Sequence, residues 1–244
     1  MRTWRAGFMI WAWAALLAAP TVAAAQAVAA PGKTVPVDIE LVLAVDVSRS
    51  IDADEFELQR QGYARAIVSP AVLSAIQTGS IGAIAVTYVE WSGADQQRTV
   101  VDWTLVRDQG SAQDFAAAIL AAPRSFAAYT SISGAIDYSA GLIRDSGYRA
   151  LRQVIDVSGD GANNDGRPVT TARDEALAAG ITINGLPIVE VEPGLDAYYR
   201  ENVIGGRDAF TIVAQNLGSF ADAVMRKLLI EVASAPRSGR RARG

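Results

Sequence analysis

Apolar positions along the chain fall into short continuous runs that alternate with segments of helical spacing. Ile39 to Val45 is an unbroken apolar run with β-branched residues, interrupted only by Glu40, and it predicts a buried central strand. Asp52 followed by Glu55 has the form of a capping box, and a helix is predicted from Ala53 to Val68. Phe56, Tyr63, Ile67 and the stem of Arg60 mark its inner face, and Pro70 marks its stop. Ile81 to Trp91 and Thr99 to Val106 read as two strands, and Ser92-Gly93-Ala94-Asp95 between them has the composition of a hairpin turn.

Helices follow over Ser111 to Ala122 and Ser131 to Ser146, then a strand over Gln153 to Val157. A helix over Thr171 to Ala179 ends at Gly180, and a strand over Ile181 to Val189 follows. A short helix near Leu195 to Asn202, a strand near Phe210 to Val213 and a last helix from Leu217 to Ala233 complete the pattern. Helix and strand alternate, so the expected fold is α/β and doubly wound. Its sheet is mostly parallel and six-stranded, in the order 3-2-1-4-5-6, with one antiparallel edge strand and helices on both faces.

The two ends break this pattern. Arg2 and Arg5 precede an uncharged run from Ala6 to Gly32 whose Trp-, Leu- and Ala-rich core, Phe8 to Ala19, is followed by small residues. This is the layout of a signal peptide over residues 1–27, with cleavage after Ala27 or Ala25. The core of about 12 residues is short against the ~20 that a membrane span needs, although an uncleaved anchor is the rival reading. A periplasmic or secreted protein is therefore expected. Residues 28–36 would be a linker, 37–233 the folded domain and 234–244 a disordered tail rich in Arg.

Composition then narrows the chemistry. The 244 residues contain neither His nor Cys. Ser-His-Asp and Cys-His catalysis, disulfides and a zinc site of ordinary type are excluded. Any resident metal must be held by oxygen, which points to magnesium, with manganese or calcium as alternatives. Loss of Arg2 and Arg5 with the leader leaves 20 basic against 26 acidic residues, a balance that argues against a nucleic-acid binder.

Oxygen donors are concentrated where the first strand ends. Asp46-Val47-Ser48-Arg49-Ser50 brings one carboxylate and two hydroxyls to one spot by alternation. In open α/β sheets ligands bind beyond the carboxyl ends of the strands, where strand order reverses. Asp160 lies beyond the carboxyl end of the Gln153–Val157 strand, and Tyr129-Thr130-Ser131 precedes a helix that could deliver a hydroxyl to the same crevice. The segment Asp160 to Gly166 has some of the look of a calcium loop, but its first and twelfth positions, Gly161 and Ala172, carry no acid.

Asp46-x-Ser48-x-Ser50, then Thr130, then Asp160-Gly161 resembles the metal-ion-dependent adhesion site of von Willebrand factor A-like domains. The resemblance extends over Val37 to Ala233. The stretches Glu40 to Ser50 and Ala85 to Trp91 are similar to a secreted proteobacterial branch known only as a domain of unknown function. It implies that Ser48 and Ser50 ligate a divalent cation directly and Thr130 directly or through water. Asp46 and Asp160 would act mainly through water and hydrogen-bonded hydroxyls. It also implies a protein partner that supplies an acidic residue to the cation, with no enzymatic activity. Two departures stand out: Gly159 before Asp160, where many relatives carry a bulkier residue, and Tyr129 before Thr130 in place of glycine. Ser131 and Ser133 are substitutes for Thr130. A metal-assisted hydrolase of phosphate or ester groups, and a structural module with a vestigial site, are the alternatives.

Overall fold

The computed structural model describes residues 35–233; the expected leader, most of the linker and the basic tail lie outside the described residues. The strands are β1 (Val35–Asp46), β2 (Ile84–Trp91), β3 (Gln97–Val106), β4 (Tyr148–Gly159) and β5 (Thr182–Pro187). The helices are α1 (Ala53–Ile67), α2 (Pro70–Gln77), α3 (Gln109–Ala121), α4 (Ile132–Asp145), α5 (Val169–Ala178), α6 (Leu195–Tyr198) and α7 (Phe220–Ala233). A π-helical turn, Tyr199–Val203, continues α6, and a 3₁₀ turn, Leu217–Ser219, leads into α7.

The sheet has five strands in the order β3-β2-β1-β4-β5. β1 runs parallel to both β2 and β4, and β5 is parallel to β4; β3 pairs antiparallel with β2. Alternate side chains of the central strands enter two cores. Ile39, Leu41, Leu43 and Val45 pack with Tyr63 of α1, Phe115 of α3 and Phe220 and Leu228 of α7. Val42 and Ala44 pack with Ile132 and Ile136 of α4, Ala172 of α5 and Tyr199 on the other side. The period-2 alternation of a strand covered by helices on both faces produces this division.

The expected sixth strand is absent. Phe210 to Val213 lies beside β5 but makes only isolated bridges, Gly185 with Thr211 and, just beyond it, Ile188 with Ala214. The chain arrives there through Gly206 and Asp208, both with positive φ, and the Phe210 N–H donates to the Asn184 side chain instead of to a strand. The two bridges share one register, with Ile212 N–H donating to Gly185 O at 3.1 Å and Ala214 N–H to Pro187 O at 3.0 Å, and the rung between them is missing because Pro187 has no N–H to give. α1 ends at Ile67, before Pro70 as expected, and Pro70 in turn begins α2, with Ser69 as N-cap accepting from Val72 N at 3.2 Å. Proline is well suited to the first helical position, where its missing N–H is not needed. The Asp52–Glu55 capping box of α1 is present in both directions, at 2.8 and 2.9 Å.

Candidate metal centre

β1 and β4 are adjacent and parallel, so their carboxyl ends open on the same edge, where β2 leaves on one side and β4 on the other. This is the reversal of strand order at which α/β sheets form a crevice. Asp46 is the last residue of β1, and Asp160 directly follows β4.

Asp46 is buried, and its Oδ1 accepts the Ser48 N–H at 2.7 Å, an Asx turn that bends the loop back over the strand end. The bend places the Ser48 and Ser50 hydroxyls 3.2 Å apart. Ser50 Oγ donates to Asp160 Oδ1 at 2.8 Å, and Thr130 Oγ1 stands 3.5 Å from Ser48 Oγ. All five residues singled out from the sequence, Asp46, Ser48, Ser50, Thr130 and Asp160, thus meet at one point. Ser131 does not join them. Its hydroxyl caps α4, accepting from Gly134 N at 3.2 Å, and it lies 3.3 Å from Ser133 Oγ.

Thr130 is fixed from the loop after β4. Its N–H donates to Asn164 Oδ1 at 3.0 Å, and its carbonyl accepts from Asn164 N at 2.9 Å. Asn163 Oδ1 accepts from Ser133 N at 2.9 Å, and Asp165 Oδ2 from Ala94 N at 2.8 Å. The segment that looked like a calcium loop uses its polar side chains to position Thr130 and the hairpin.

The Asp46–Ser50 loop is held from below by Arg124. Its Nη2 donates to the carbonyls of Val47, Ser48 and Ile51 at 2.9, 3.1 and 2.7 Å, and its Nε to Phe126 O at 3.1 Å. The segment carrying Arg124 is anchored in turn by a buried ion pair. Arg60 Nη2 lies 2.5 Å from Glu90 Oε1, Arg60 also donates to the carbonyls of Ala122 and Pro123, and Glu90 Oε2 accepts from Ser125 N at 3.0 Å. Nothing in the local pattern around Arg124 signals this role; it depends on where the α3–α4 connection docks.

The electrostatics of the crevice are those of two carboxylates with no cationic side chain paired to either among the described residues. Burial, and secondarily the charge of Asp160, pushes the Asp46 carboxyl up to about 7. Burial likewise raises Asp160, with Glu192 contributing and Ser50 opposing. Asp46 Oδ2 is buried and has no hydrogen-bond partner among the described residues. An unpaired buried carboxylate oxygen beside three hydroxyls is what a hard cation requires of its surroundings. Among the described residues there is no group of three or more His, Cys, Asp or Glu that could hold a metal, so the donors on offer are two carboxylates and three hydroxyls. Above them opens a cavity of about 310 Å³ whose rim includes Arg49, Tyr129, Val191 and Glu192. Among the described residues no helix is long and apolar enough to cross a membrane.

Solved structures with the same fold are von Willebrand factor A domains. The vWF domain of the type V pili tip protein Mfa5 from Porphyromonas gingivalis superposes with a TM-score of 0.59 at 10% identity, over 84% of this chain and 98% of that one. Proximal thread matrix protein 1 from the mussel byssus, in a structure with a zinc-occupied MIDAS motif, gives 0.55 at 15% identity over 82% of this chain. The present chain spans about half of the mussel protein, 48%. A von Willebrand factor type A protein from Catenulispora acidiphila gives 0.52 at 15% identity, over 82% of this chain and 43% of that one. At these identities the likeness is one of fold. A search of the curated proteins finds no match. The family model described as "Protein of unknown function (DUF1194)" matches residues 36–236, and the chain, with its von Willebrand factor A-like fold, belongs to that family.

Proposed function

We propose that this protein is a secreted, metal-dependent interaction domain that binds a divalent cation at the β1–β4 crevice and engages a protein partner through it. The observation that carries the reading is the convergence of Asp46, Ser48, Ser50, Thr130 and Asp160 around a carboxylate oxygen that has no partner of its own. Ser48, Ser50 and Thr130 would offer hydroxyl oxygens, and Asp46 and Asp160 would balance the charge through water and those hydroxyls. Magnesium suits such a set because it retains water and tolerates few protein ligands; manganese and calcium are the alternatives. The zinc-occupied MIDAS of the mussel protein supports a divalent cation on this fold. The signal-peptide layout of the sequence over residues 1–27 supports export to the periplasm or beyond.

A site with two carboxylates, neither wrapped fully around the ion, leaves the cation electrophilic and open to an outside acid. The rim supports a protein as the source of that acid. Tyr129 and Val191, 69% and 64% exposed, are the most exposed large apolar side chains among the described residues, and both border the cavity. Hydrolysis would require a base free to accept a proton. Asp46 and Asp160, the carboxylates nearest the ion, would be used in holding it, so binding is the better supported reading.

Calorimetric titration with magnesium, manganese and calcium, and thermal melts with and without each, test the site. The expected result is a single binding event that raises the melting temperature by several degrees at saturating cation and is lost in Asp46→Ala. Equal stabilisation of wild type and variant would remove the site from Asp46.

A further inference from the structure

A second buried polar atom beside the crevice lacks a partner. The Tyr199 hydroxyl, like Asp46 Oδ2, is buried without a hydrogen bond. The two atoms border one small space. A Cβ added to Gly159 would lie 2.9 Å from Asp46 Oδ2 and 3.0 Å from the Tyr199 hydroxyl. The bare Cα of Gly159 keeps that space open between the two groups.

The ring of Tyr199 is placed there by the backbone. It begins the π-helical turn Tyr199–Val203, a wide turn of a kind that occurs often at functional sites. Its ring lies over a second glycine, Gly185 of β5, where an added Cβ would meet Cδ1 at 2.7 Å. Two glycines on adjacent strands thus make room for the aromatic ring, and a phenylalanine would fill the same space. Packing does not account for the hydroxyl. A buried hydroxyl with no partner is destabilising, and its presence calls for a partner acquired in another state of the site.

We infer that Tyr199 is a positioning residue of the cation site: its hydroxyl donates to Asp46 Oδ2 across Gly159 when the site is loaded and so fixes the orientation of that carboxylate. The inference rests on the reading of Asp46 as part of the cation site. Ionised Asp46 is an acceptor only, and the phenol is a donor aimed into the space that Oδ2 borders. The hydrogen bond holds Asp46 from the side opposite Ser48, whose N–H already fixes Oδ1.

The test is magnesium titration by calorimetry on the whole chain and on Tyr199→Phe, with melts of both in chelator. The expected result is a loss of magnesium affinity of about tenfold, the usual order for a hydrogen bond to a charged group, with a melting temperature in chelator equal to or above that of the wild type. A purely structural tyrosine would lower the melt and leave the affinity alone. Gly159→Ala, which fills the space between the two groups, is expected to weaken magnesium binding as well. Wild type that binds no magnesium removes the cation site itself. Wild type that binds, with Tyr199→Phe within twofold of it, overturns the role of Tyr199 alone. So does an affinity loss accompanied by an equal loss of stability in chelator.

Discussion

β4 and the residue that follows it carry two buried carboxylates four residues apart, Asp156 and Asp160, and the protein treats them in opposite ways. Asp156 faces the α7 side of the sheet, where Lys227 Nζ lies 2.5 Å from its Oδ1. Glu231, one turn further along α7, accepts from Asn184 at 2.7 Å and from Arg152 at 3.2 Å. Burial still raises Asp156, to about 6, but Lys227 opposes the rise. At the strand end Asp160 and Asp46 are raised by burial with no basic side chain to oppose it. The chain therefore has the means to neutralise a buried acid and omits them at the crevice. Paired charge at Asp156 and Lys227 closes a structure, whereas Asp46 and Asp160 have no basic partner among the described residues, and on the proposed reading that place belongs to a cation from outside.

Breaking the paired region should have the largest effect. Lys227→Met strands Asp156 without its cation and leaves Glu231 with Arg152 and Asn184, and a loss of about 3–5 kcal/mol in unfolding free energy is expected from denaturant melts. The cation-dependent stabilisation should survive in any fraction that folds, because Lys227 does not touch the crevice. Stability unchanged by Lys227→Met would end the contrast between the two regions.

Acidity sharpens the contrast next. Asp46 has its folded value near 7, above the 3.8 of an unperturbed carboxyl, so the metal-free folded state holds a proton that the unfolded chain has released. The contribution of Asp46 then falls as pH rises from about 4 to 7, the reverse of an ion-paired acid. Binding a cation requires the carboxylate, so affinity should climb through the same window and level off above pH 7. Melts in chelator from pH 4.5 to 8, wild type minus Asp46→Asn, should show the falling limb; a flat difference would contradict it. The smallest effect is expected at the rim. Tyr129→Ala should leave magnesium affinity within twofold and reduce the yield of a magnesium-dependent pull-down from a periplasmic extract. Undiminished capture would take Tyr129 out of the contact surface.

Much of this was legible along the chain because it is local or periodic. The apolar run before Asp46, the Asp-x-Ser-x-Ser alternation and the capping box at Asp52 each declare themselves within a few residues. Placing Asp160 and Thr130 with them needed only strand order. The parts that sequence missed are set by distant partners. Phe210 to Val213 has strand composition, yet Pro187, which has no N–H to give, and the Asn184 side chain, which takes the Phe210 N–H, leave it with isolated bridges. β4 extends back to Tyr148 although Arg149 and Arg152 break its apolar pattern, because its whole length is paired to β1. Tyr199 looks like ordinary core until Gly159 and Gly185 are seen beneath it.

Arg124 has a consequence for how the crevice comes into being. Three carbonyls of the Asp46–Ser50 region are held by a guanidinium more than 70 positions further along. A chain emerging from synthesis has all of its first-strand oxygens long before it has the clamp that shapes them. On the proposed reading, partly made protein should be blind to the cation, and capture of the ion would report that the middle third of the fold has already closed over the first.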